Sequence, residues 1–135
     1  MIELKRRDRL IKVIDQGTWP AHFDFITQIL KKHEFLIPWW VGEIWIKDTT
    51  TIEDIGIQEF MEYWSVRIVV NRGWNQEESA VLHEIAHMHM YHMTAFVQDQ
   101  LLDLIPKGNR EFAEKIFDQK LEQDTEGLGR LFEAL

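Results

Sequence analysis

Apolar positions along the chain change their spacing several times, and each change predicts a different element. Between Met1 and Asp15, the positions Ile2, Leu10, Ile11, Val13 and Ile14 predict a short helix that ends before Gly17. The stretch TWPAHFDFITQILKKHEF predicts a second helix, with Thr18 as its cap and Pro20 in its first turn. Phe23, Ile26, Ile29 and Leu30 form its apolar face, and Lys31, Lys32 and His33 sit near its C-terminal end, where positive charge suits the helix dipole. His22 and His33 are read as surface residues.

The middle of the chain changes period. VGEIWIKD and WSVRIVVNR are rich in β-branched and aromatic residues, and Val66, Ile68 and Val70 alternate as one face of a strand. A small sheet is expected here. Between the two, TTTIEDIGIQEFMEYW reads as a polar loop holding a further short strand or helical turn. Trp39, Trp40, Trp45 and Trp64 crowd these segments. Packing of their rings between sheet and helices accounts for most of them, and an exposed aromatic surface for a peptide or partner is the alternative.

The remainder is helical. Asn75 followed by Glu78 has the spacing of a capping box, so a helix starts at about Gln76 and runs through EESAVLHEIAHMHMYHMTAFVQDQLLDLI. Pro106, Gly108 and Asn109 end it, and Asn109 caps a last helix whose Phe117, Leu121, Leu128, Leu131 and Leu135 lie on one stripe. The fold expected is α+β: a small β-sheet packed on helices, with a C-terminal αα-hairpin, in a single domain over residues 1–135.

Composition narrows the chemistry. With 135 residues and 45% hydrophobic content, the chain supports one core. No apolar run reaches the roughly 18 residues a membrane span needs, and charges interrupt the N-terminal segment, so a soluble, cytoplasmic protein without a membrane partner is expected. The absence of cysteine excludes disulfides, a thiol nucleophile and sulfur-ligated metals, so any metal is held by nitrogen and oxygen. A formal charge of −8 argues against nucleic acid as a partner.

Against that background, AVLHEIAHMHMYHM stands out, with His83, His87, His89 and His92 around one carboxylate, Glu84. At about 100° per residue, His83 and His87 stack one turn apart, and Glu84 lies about 100° from His83. This is the His-Glu-x-x-His spacing, in which two imidazoles fix a zinc ion and the carboxylate takes a proton from the water the zinc holds. Val81, Leu82, Ile85 and Ala86 make the surroundings apolar, where these polar groups need a partner. His89 and His92 point elsewhere on an unbroken helix, and no glycine between Gly73 and Gly108 breaks it. The third ligand is therefore expected from the last helix. Symmetric pairing across the hairpin brings His87 level with residues 126–128, which gives the order Glu126, Glu122, Asp124 and, last, His92. Gly127 and Gly129, poor helix formers, fit a close helix approach or early fraying.

From VRIVVN through LHEIAH to the acidic final helix, roughly the last seventy residues, the chain resembles the zincin metallopeptidases. More narrowly, it is similar to the minimal, gluzincin-type intracellular members, such as the ImmA/IrrE-like and antirestriction-associated zinc peptidases of prokaryotes and their phages. The resemblance implies a zinc-dependent hydrolase of peptide bonds, with His83, His87 and Glu126 holding Zn2+ and Glu84 as general base. It further implies that SVRIVVN is an edge strand for an extended peptide, and that the partners are a protein or peptide substrate and a cognate protein. Peptide deformylases share the motif but need a cysteine, which this chain lacks. SprT-like proteases commonly add a histidine shortly after the motif, where this chain has the out-of-phase His92. Tyr63, Tyr91 and Arg130 are open as oxyanion donors. The alternative reading is a catalytically silent zincin-fold binding module with a structural zinc, a role that gives no reason for Glu84.

Overall fold

Strand pairing begins where the apolar pattern predicts a helix. The structure, a computed structural model, describes residues 2–6, 9–51, 55–62 and 64–135. In it, β1 (Ile2–Arg6) and β2 (Arg9–Asp15) pair antiparallel, with Leu4 opposite Ile11 and Ile2 opposite Val13. Leu4, Ile11 and Val13 are buried, whereas Leu10 is 56% exposed. Successive side chains on a strand point to opposite faces, so the Ile11/Val13 alternation prevails over the apparent helical grouping that included Leu10.

The sheet continues with β3 (Glu43–Thr49), β4 (Ile55–Glu62) and β5 (Ser65–Asn71) in the order β1-β2-β3-β5-β4. β2, β3 and β5 are mutually parallel, and β1 and β4 flank them antiparallel. Ser65–Asn71 is thus an interior strand rather than the edge strand implied by the zincin resemblance. The edge beside it is β4, an eight-residue strand in the segment read as a polar loop holding a further short strand or helical turn. Ile44, Ile46, Val66, Ile68 and Val70 are buried together on one face, the core side of the mixed sheet. On the other face, Glu43 accepts hydrogen bonds from Trp45 Nε1 and Ser65 Oγ, both at 3.0 Å.

The tryptophans divide between core and surface. Trp40 is buried against Tyr91, with ring centroids 5.4 Å apart, while Trp39 and Trp64 form an exposed edge-on pair at 6.5 Å.

Helix α1 (Pro20–Lys32) is capped differently from expectation. Thr18 Oγ1 donates to the carbonyl of Ile46 at 2.6 Å and so ties the helix entry to β3, while Trp19 occupies the cap position. Asp15 Oδ1 accepts the amides of Gly17 and Thr18, in a turn where Gly17 takes φ 99°. His22 and His33 are buried rather than on the surface. His22 Nε2 donates to the Arg72 carbonyl at 2.7 Å, and His33 Nε2 donates to Glu78 at 2.8 Å.

That last contact removes the expected capping box. Glu78 turns to His33 and Lys32, Asn75 bonds Glu77, and Gln76 takes φ 57°, so α2 spans Glu78–Phe96. The helix stops short of Ile105: a π turn over Val97–Leu101 and a 3-10 turn over Leu102–Leu104 follow. Arg110 donates to the carbonyls of Leu102 and Ile105, satisfying groups that the turn leaves open. α3 (Lys107–Ala134) has Pro106 rather than Asn109 at its cap, and it packs on α2. No helix among the described residues is long and apolar enough to cross a membrane.

Candidate metal centre

Helix α2 carries His83 and His87 on the side that meets α3. Val81, Leu82, Ile85, Ala86 and Met88 are buried in the core, which fixes the rotation of the helix. His83 and His87, both half-buried, are left facing α3 with ring centroids 4.7 Å apart and planes at 82°.

The residue that meets them from α3 is Glu122. Its Oε1 accepts from His83 Nε2 at 3.2 Å, and its Oε2 stands 3.9 Å from His87 Nε2. The three side chains offer two nitrogens and one carboxylate oxygen, all within 4.8 Å of one another. Donors around a tetrahedral zinc, with bonds of about 2.0–2.2 Å, stand roughly 3.3–3.6 Å apart. The donor set and its spacing fit that ion with small side-chain adjustments.

Glu126, first in the order of expected ligands, lies one turn further along α3. Its Oε1 accepts from Arg130 Nη2 at 2.6 Å, and it is not in the convergent group. The reason is the orientation of α3. Its buried side is Thr125, Gly129 and Phe132, with Phe117, Leu121 and Leu128 only half-buried and Leu131 and Leu135 exposed. Relative to the predicted leucine stripe, the helix is rolled so that Glu122 reaches the two imidazoles, whereas Glu126 pairs with Arg130 in the wall of the neighbouring cavity. The same roll leaves Asp124 exposed. The His92 side chain lies outside the described residues, as does Tyr63.

Gly129 is the contact point of the two helices. A Cβ built on it would lie 3.4 Å from His83 Cα and 3.8 Å from His83 Nδ1. Its small size lets α3 approach the first histidine closely enough for Glu122 to reach both rings. The sequence signal was the pair Gly127 and Gly129 within one helix. Gly127 meets nothing within 4 Å, so only Gly129 has a packing reason.

Glu84 is 3% exposed and forms part of the wall of a cavity of about 320 Å³, together with His83 and Gly129. A buried carboxylate that shares a cavity wall with His83 is placed to exchange a proton with a molecule in the cavity. Arg130, one of the three open oxyanion donors, also lines this cavity, whereas Tyr91 stacks on Trp40.

Burial, and then the neighbouring His83, hold the His87 imidazole below its ordinary value of 6.5, against the opposing pull of Glu122. The neutral ring, the form that ligates metals, is therefore favoured down to lower pH.

Comparisons with protein-family models, curated proteins and solved structures find no match. The zincin resemblance thus rests on the residues of β5, α2 and α3 themselves.

Proposed function

We propose that the protein is a zinc-dependent metallopeptidase of minimal, zincin-like architecture, with zinc held by His83, His87 and Glu122. The observation that carries this reading is the convergence of those three side chains, from two helices, beside the buried Glu84 and its cavity. A structural zinc site is closed by protein ligands, whereas three ligands, one of which (His83) lines a cavity, leave a position for water or substrate.

Zinc bound there would supply a Lewis acid and a water of lowered pKa. Glu84 accepts the proton of the attacking water on its carboxylate and returns it to the leaving amine. The edge strand β4 begins at Ile55, in the wall of the same cavity, so an extended peptide added along this strand would arrive at Glu84. Restriction to one cognate protein is the accompanying expectation for a peptidase of this kind.

The test is hydrolysis of unstructured protein substrates by zinc-loaded wild type and Glu84→Gln. Retained zinc with a rate loss of about 10²–10⁴-fold in the variant supports the reading. Bound zinc in both proteins with no hydrolysis over a broad panel would favour the silent binding module.

A further inference from the structure

The cavity beside His83 and Glu84 has an uneven lining. Ile55, Ala80 and the bare backbone of Gly129 give it an apolar side, while four carboxylates, Glu77, Glu84, Glu126 and Glu133, and one guanidinium, Arg130, give it charge. The guanidinium is already engaged by Glu126 at 2.6 Å. Glu133 makes no hydrogen bond or ion pair among the described residues. It also stands one residue before the end of α3, where free carbonyls add negative potential of their own. Glu77, also in the lining, immediately precedes α2, and Glu78 occupies the first turn of that helix.

We propose that this cavity receives a lysine or arginine side chain of the substrate, with its methylene stem along Ile55, Ala80 and Gly129 and its cationic end at Glu133 and Glu77. Long basic side chains bury their stems and leave the charged end at a polar rim, and here Glu77 and Glu133 are exposed while Gly129 is buried and Ile55 and Ala80 half-buried. An acidic side chain would meet like charge from Glu133 and Glu77, and a large apolar one would cover those carboxylates without pairing them. The inference rests on the peptidase reading for the ligand being a peptide. It adds the substrate class: chains with a basic residue next to the cleaved bond, in keeping with a protein of charge −8.

Binding and cleavage separate the two claims. Isotope-labelled protein, with and without zinc, is titrated with capped tetrapeptides that differ only in carrying lysine, arginine, norleucine or glutamate, and the amide signals of Ala80, Gly129 and Glu133 are followed. The basic peptides should shift these signals saturably and bind about five- to tenfold more tightly than the norleucine peptide. Glu77→Gln combined with Glu133→Gln should remove that difference, with the remaining spectrum reporting an intact fold. Equal or tighter binding of the glutamate peptide, or shifts confined to other residues, overturns the inference. If lysine peptides bind here and nothing is cleaved, the subsite stands and the peptidase reading falls. If glutamate peptides are cleaved as fast as lysine peptides, the reverse holds.

Discussion

Gly129 lies against His83 so closely that a Cβ on the glycine would stand 3.4 Å from the histidine Cα. This contact sets the distance between α2 and α3, and with it the reach of Glu122 to the two imidazoles. A methyl group at 3.4 Å is tolerable, and alanine gains about 1 kcal/mol of helix propensity over glycine, so Gly129→Ala should be near neutral in chemical denaturation. Gly129→Val adds bulk that the His83 backbone cannot yield to. It should cost about 1–3 kcal/mol and weaken metal binding, because it moves Glu122 away.

Gly127, two residues earlier, faces open space. Gly127→Ala should stabilise the protein by roughly 0.5–1 kcal/mol without changing zinc affinity, as thermal melts with and without metal would show. Destabilisation would mean that the outer side of α3 is packed against something.

Phe132 anchors the C-terminal end of α3, 6% exposed, with its ring 5.5 Å from that of His89. Phe132→Ala should cost about 3–5 kcal/mol in denaturant unfolding. It should also weaken zinc binding, although Phe132 is no ligand, since it holds the helix that presents Glu122.

Glu78 links α1 to α2 through His33 and Lys32. The hydrogen bond from His33, and then that from Lys32, hold its carboxyl below the ordinary 4.5. A carboxylate with a lowered folded pKa contributes stability above its unfolded value, and that contribution is lost as pH falls through the folded one. Wild type should therefore lose stability below about pH 4.5 more steeply than Glu78→Gln, in denaturation midpoints measured across that window. Parallel curves would remove Glu78 from the acid response.

The sequence revealed the site's first half better than its second. His83, Glu84 and His87 lie within one helical turn or so, and their mutual placement follows from helix geometry alone. Glu122 depends on how α3 is rolled and where the chain reverses. Those in turn depend on Gly129, Phe132, the π turn over Val97–Leu101 and the Arg110 contacts, none of which the leucine pattern specifies. Symmetric pairing from Pro106 to Gly108 consequently favoured Glu126 over its neighbour one turn away. The β-rich middle was legible from Val66, Ile68 and Val70, which alternate cleanly. The β1–β2 hairpin was not, because Leu10 and Ile14 disguise the Ile11/Val13 alternation and the pairing with Leu4 is a tertiary fact. His22 and His33 misled in a similar way. Their partners, the Arg72 carbonyl and Glu78, are distant in sequence, and only those partners make burial of an imidazole tolerable.

The most direct measurement is zinc per chain, by elemental analysis after reconstitution and removal of free metal, for wild type, Glu122→Ala and Glu126→Ala in parallel. About one zinc is expected in wild type and in Glu126→Ala, and a clear loss in Glu122→Ala. Full zinc in Glu122→Ala would contradict the His83–His87–Glu122 centre, and no zinc in wild type would contradict a metal centre here altogether.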